Sequence, residues 1–274
     1  MSEWTGELEL DTERIQDKTI TENLYFQGAF KIMRPVYSHH SGHPSYYILN
    51  PGGGYLDGDT YRMKITAGTN AGLTLTTQSA TKVYKTPNTQ AYQEAEFYLG
   101  EGSYLEYLPD PLIAYKDARY LQKNIVHMSK GSTFLYSDIL TPGWSPERED
   151  FSYDCLRLIN EFYMEGKLIS YDHIKLNPGE QPITGMGFME GYTHLGSFIV
   201  ISDKVEPGLT DRIYDLIQQE DEDVTIGISQ LAVPGFTIRI LANYTQVIER
   251  IITKVHHLIS QEWFQTKPGS LRKY

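Results

Sequence analysis

With a single cysteine, Cys155, the 274-residue chain can build neither an internal disulfide framework nor a multi-cysteine zinc site. It lacks any apolar run near the roughly 20 residues that a membrane-crossing helix needs. Its opening residues, Met1 to Glu9, show no basic stretch followed by an apolar one. These three features together lead us to expect a cytoplasmic protein. Basic residues are in deficit, since 24 Lys+Arg face 35 Asp+Glu, a net charge of −11. Like-charge repulsion then disfavours nucleic acid and anionic membranes as partners. Cations, basic protein patches and neutral ligands remain.

Catalytic signatures are missing as well. The glycine run Gly52-Gly53-Gly54 is not followed by Gly-Lys-Ser/Thr. It sits beside Asp57 and Asp59, where a phosphate would need donors. It reads either as a turn needing positive φ or as an Asp-x-Asp cation contact. Gly227-Ile228-Ser229-Gln230-Leu231 lacks the second glycine of a nucleophile elbow. No His-x-x-x-His or two-histidine–carboxylate pattern emerges: His39, His40 and His43 fall in a polar loop. His256 and His257 are adjacent on a helical pattern and point about 100° apart, so they cannot chelate together. Cys155, in the alternating stretch Tyr153 to Leu158, reads as a packed thiol rather than a nucleophile.

What is present is strand. Tyrosine is abundant, 21 residues against 10 phenylalanines, and strands favour it. Glu7 to Leu10, Tyr61 to Ile65 and Leu73 to Thr76 alternate between polar and apolar, with Gly, Pro, Asn and Asp punctuating at short intervals. This predicts a mainly β, layered body of many short strands over residues 1–190, either a sandwich or a solenoid. Residues 191–274 change pattern. His194 to Ser202 reads as a strand, and Leu209, Ile213, Leu216 and Ile217 as an amphipathic helix. Val224 to Leu231 and Phe236 to Leu241 read as strands. Val247 to Ile259 forms a long helical stripe capped by Asn243 or Thr245. A β-α-β-β-α portion packed on the β body, within one domain spanning 1–274, is the expectation. Glu22 to Gly28 matches the site cut by a common tag-removal protease, yet the strand pattern runs through it, so we read it as part of the fold.

Single acids lodged in apolar strands are more informative. Alternation puts Asp138 on the face of Phe134, Tyr136 and Leu140, and Asp172 on that of Leu168, Ser170 and Ile174. A buried carboxylate costs several kcal/mol unless paired or hydrogen-bonded. Such acids either form salt bridges or line a wet cavity or ion path. Asp59, just after the glycine turn, is a third candidate.

Four segments resemble the urease accessory protein UreD family, called UreH in some bacteria. They are Pro51 to Asp59, Leu75 to Tyr84 (with its Ala80-Thr81-Lys82-Val83-Tyr84 core), Leu105 to Pro111 and Asp138 to Gly143. Trp144 and the closing Arg272-Lys273-Tyr274 suggest a Gram-positive branch. The resemblance implies a non-enzymatic scaffold with no tightly bound cofactor. Such a scaffold binds the urease apoprotein and recruits UreF and, through it, the GTPase UreG, for nickel insertion. It also implies an internal water-filled route for Ni²⁺, with Asp59, Asp138 and Asp172 as candidate metal-path residues and Thr81 nearby in the motif. A homodimer is compatible with it. Carboxylates suit transit, because oxygen ligands release a divalent ion that thiolates or clustered imidazoles would trap. The competing reading is a carbohydrate-active β protein using Glu106 and Asp110. Four residues apart on an extended strand they stand about 13 Å apart, too far for the roughly 5–5.5 Å of retaining chemistry.

Overall fold

The computed structural model describes residues 4–37, 42–218 and 223–265. The strands are β1 (Gly6–Ile15), β2 (Lys18–Gly28), β3 (Lys31–Ile32), β4 (Ser45–Leu49), β5 (Thr60–Ala67), β6 (Gly72–Thr77), β7 (Thr81–Val83), β8 (Ala91–Leu99) and β9 (Tyr104–Leu108). They continue with β10 (Leu112–Ala114), β11 (Arg119–Met128), β12 (Thr133–Leu140), β13 (Cys155–Met164), β14 (Lys167–Leu176), β15 (His194–Ile201), β16 (Thr225–Gln230) and β17 (Gly235–Ala242). Helices α1 (Leu209–Ile217) and α2 (Thr245–Phe264) belong to the C-terminal part. The protein is mainly β, and the alternating segments of the sequence are strands.

The strands form two facing sheets. One has seven strands in the order β14-β13-β11-β8-β5-β1-β2; the other runs β16-β17-β15-β12-β9-β6-β4-β3, with β7 and β10 beside it. The middle of each sheet is parallel: β5, β8, β11 and β13 in the first, β4, β6, β9 and β12 in the second. The chain therefore winds through stacked coils, each laying one strand on each sheet. Of the two architectures left open by the sequence, the solenoid is the one formed. Parallel strands cannot be joined by a tight hairpin, and here the crossover is the other sheet. Antiparallel pairs close the ends, β1 with β2 and β13 with β14. Residues 24–28 lie within β2, with Gln27 opposite Glu7.

Alternation explains the core. Leu8, Ile65, Phe97 and Phe162 point inward from the first sheet and meet Leu75, Tyr107 and Phe134 of the second. Ring contacts such as Phe97–Phe134 at 5.4 Å knit the coils together. The outer face of the first sheet carries Glu94, Glu96, Lys123 and Glu161 and stays half exposed. The second sheet is covered on both faces around β12, every residue of which is buried. The helices supply its second cover. Ile213, Ile248, Ile251, Val255 and Ile259 pack on Leu135, Phe198, Ile238 and Ile240. Gly196 permits the close approach, since a Cβ there would stand 2.3 Å from Ile248 Cγ2. One expectation fails. Neither Asn243 nor Thr245 caps α2; its N-cap is Tyr244 and makes no side-chain bond. Asn243 Oδ1 instead accepts from Thr193 N at 3.2 Å, tying the start of α2 to the start of β15.

Candidate functional site

Between the sheets lies a cavity of about 50 Å³, lined by residues that include Gly54, Tyr55, Thr81, Gln93, Gln122 and Asp138. That is several times the roughly 10–15 Å³ that one water needs. Its mouth is formed by the glycine turn and the segment entering β7. Gly53 and Gly54 take φ of 82° and 152°. A Cβ on Gly54 would meet Lys82 O at 2.5 Å, and Tyr55 N donates to the same carbonyl at 2.8 Å. Only glycine permits this approach. Thr81 enters the motif strand, its amide bonded to Pro111 O at 2.9 Å.

Two hydrogen-bonded groups lie along the cavity, on neighbouring strands where Gln93 and Gln122 are register partners. Tyr55 Oη donates to Gln93 Oε1. Gln122 Nε2 donates to Tyr136 Oη at 2.8 Å, and Tyr136 Oη donates to Asp138 Oδ2. Burial pushes the phenols of Tyr55, Tyr120 and Tyr136 well above their ordinary range, so they remain neutral donors. Asp138 is buried, and burial raises its carboxyl to about 6 against the pull of its bonds from Tyr136 and Gln122. It is mostly ionised at neutral pH yet close to its protonation point.

Register extends the polar row beyond Asp138. In the second sheet Asp138 pairs with Ser197, and Ser197 with Arg239. In the first sheet Asn124 pairs with Asn160, and Asn160 with Asp172. The rows meet where Arg239 Nη2 binds Asp172 Oδ1 and Nη1 binds Ser197 Oγ. Asn160 Nδ2 donates to Asp172 Oδ2 at 3.1 Å, and Asn124 Nδ2 donates to Asn160 Oδ1 at 2.8 Å. Asn124 is buried, and its Oδ1 has no protein partner. An acceptor left so in the interior marks a place for water or a cation. Side-chain exposure rises to 19% at Asp172 and 32% at Arg239, so the polar row leads from the cavity at Asp138 towards the surface between β14, the edge of the first sheet, and β17, which β16 flanks in the second.

The three candidate acids thus have different settings. Asp138 and Asp172 belong to this seam. Asp59 does not line the cavity; its Oδ2 accepts from Leu56 N at 2.8 Å and Tyr61 Oη at 3.4 Å, closing its own turn. Asp57 similarly accepts from the amides of Asn88 and Thr89. Glu106 and Asp110 occupy separate environments. Glu106 is buried beneath α2 with Thr74, Tyr104 and His256, whereas Asp110 lines the cavity. Among the described residues no three His, Cys, Asp or Glu side chains converge where they could hold a metal ion. Of the loop histidines, His39 and His40 lie outside the described residues, and His43 stacks on Tyr104 at 5.7 Å.

Sequence reasoning passed over Gln93, Gln122, Asn124, Asn160, Ser197 and Arg239. The rule that found Asp138 reaches some of them: Gln122 and Asn124 share the inward face of Tyr120 and Val126. It misleads for Arg239, because the more apolar face of β17 is the one under the helices.

The family model described as UreD urease accessory protein matches residues 5–273. A urease accessory protein UreD of Lachnoclostridium phytofermentans is 47% identical over 274 residues, covering 100% of both chains. Those of Staphylococcus aureus strains bovine RF122 and JH9 are 42% identical, covering 99% of both. No helix among the described residues is long and apolar enough to cross a membrane. The chain belongs to the UreD family of urease accessory proteins, and its role lies in urease maturation.

Proposed function

We propose that this protein is a non-catalytic scaffold that holds the urease apoprotein, recruits UreF and through it UreG, and conducts Ni²⁺ inward during GTP-dependent insertion. The observation that supports the reading is the row of polar side chains that leads from the cavity at Asp138 through Ser197 and Arg239 to Asp172. Its donors are carboxylate, amide, hydroxyl and phenol oxygens, ligands that hold a divalent ion briefly and release it. In this reading nickel is cargo and not a resident cofactor. Thr81 and Gly54 border the mouth, Asp138 is the interior station, and Asp172 stands at the far end. Asp59 acts on the route indirectly, by setting the turn at the mouth. A cytoplasmic setting fits the lone cysteine and the maturation of an enzyme at its site of synthesis.

The test is co-purification with UreF, UreG and urease apoprotein, followed by nickel counting on the recovered urease. Asp138→Asn retains the complex and lowers the nickel count. Normal loading by this variant would overturn the passage.

A further inference from the structure

We infer that Arg239 is the gate of the polar seam, its guanidinium closing the route between Asp138 and Asp172; this rests on the passage reading above. Arg239 lies on the inward face of β17, opposite the face carrying Phe236, Ile238 and Ile240 under the helices. Register places it in one row with Ser197 and Asp138. Its fork spans the gap between the sheets: one nitrogen binds Ser197 of the second sheet and the other binds Asp172 of the first. The order along the seam is therefore Asp138, Ser197, the Arg239–Asp172 pair, solvent.

A guanidinium is permanently charged, so a divalent cation leaving Asp138 meets like charge before it reaches Asp172. In this arrangement Asp172 is not available as a ligand, because its carboxylate is already engaged by Arg239 and by Asn160. The same arginine is nevertheless able to move. About a third of its side chain faces solvent, and its three-carbon stem can swing the charge outward. Once it swings, Asp172 and Ser197 are bared together and the seam becomes an uninterrupted row of oxygens. A closed default state keeps a cation at Asp138 from leaving by the Asp172 end, and a docked partner able to take up the guanidinium opens it.

The experiment measures the initial rate of nickel transfer to urease apoprotein in the purified accessory complex. It compares Arg239→Gln, Arg239→Lys and Asp138→Asn with the parent protein, each with its thermal melt. Arg239→Gln removes the charge and keeps hydrogen bonding. It raises the rate on the order of tenfold, which corresponds to about 1.4 kcal/mol off the barrier. Arg239→Lys leaves a cation in the seam and stays near the parent rate, while Asp138→Asn is slow. A lowered or unchanged rate in Arg239→Gln, with Asp138→Asn still slow, makes Arg239 a tie between the sheets and overturns the gate while the passage stands. A parent-like rate in Asp138→Asn overturns the passage and the gate with it.

Discussion

Glu106 Oε1 lies 2.6 Å from His256 Nε2, joining β9 to α2 across 150 positions of the chain. Burial works against both charges, yet each is held by the other. Glu106 stays ionised down to about 2, with Tyr104 and Thr74 also bonded to it, and the His256 imidazolium is raised above its ordinary range. Removing one partner strands a buried charge, so Glu106→Ala costs about 3–5 kcal/mol, read by chemical denaturation near pH 6. The pH dependence follows from the two directions. Glu106 contributes above its unfolded value of 4.5 and loses that contribution as pH falls through about 2. His256 contributes fully below 6.5 and loses it as pH rises through its raised folded value. The parent protein is therefore most favoured over the variant between these limits.

Asp138 behaves in the opposite sense. Its carboxyl shifts from 3.8 to about 6, so folding opposes its ionisation and the protein loses stability as pH rises from 3.8 through about 6. Asp138→Asn removes that penalty and stabilises the fold at pH 8 by at most roughly 3 kcal/mol, at 1.36 kcal/mol per pKa unit. Increased stability beside reduced nickel loading is the expected signature. A large loss of stability at pH 8 would show a carboxylate kept for structure.

Gly54→Ala confronts both a φ of 152° and the Lys82 carbonyl at 2.5 Å. The expected loss is on the order of 1–3 kcal/mol, with the cavity mouth distorted. Gly187→Ala is the control. Its φ is 78° but nothing lies within 4 Å of the added carbon, so it carries the conformational strain without the collision. A melt that drops equally for both would assign the effect to φ alone.

Ile251 is fully buried where α2 meets the second sheet. Ile251→Ala leaves a cavity there and costs about 2–5 kcal/mol, seen as an earlier denaturation midpoint with unchanged slope.

The protease motif offers a local probe. Gln27 pairs with Glu7 and Gly28 with Gly6 in the β1–β2 ladder, so the scissile bond is held in a sheet. The folded protein should be cut slowly, with a rate that climbs in mild urea as β2 opens. Rapid cleavage in buffer alone would mean that this edge does not hold.

The strands were legible because alternation is a local property. A residue's face follows from its parity, as at Tyr61, Met63 and Ile65. Helix α2 was legible for the corresponding reason, with one stripe from Val247 to Ile259 facing the sheet. Its cap was not, because Asn243 had a long-range alternative in Thr193. Asp138 was found as an acid among apolar neighbours, but the sequence carried no trace of Arg239 as the far end of the same row. That required knowing which strand lies beside which.

By itself the sequence determined the mainly β class, the C-terminal helices and the acids set in apolar strands, all readable from neighbours a few residues apart. Only the tertiary structure decided that the coils stack as a solenoid and that Asp59 closes its own turn. Only it paired Glu106 with His256 and carried Asp138 through Ser197 and Arg239 to Asp172. Parity says which side of a strand a group occupies. Strand order and register, set by packing across the whole core, decide what it meets there.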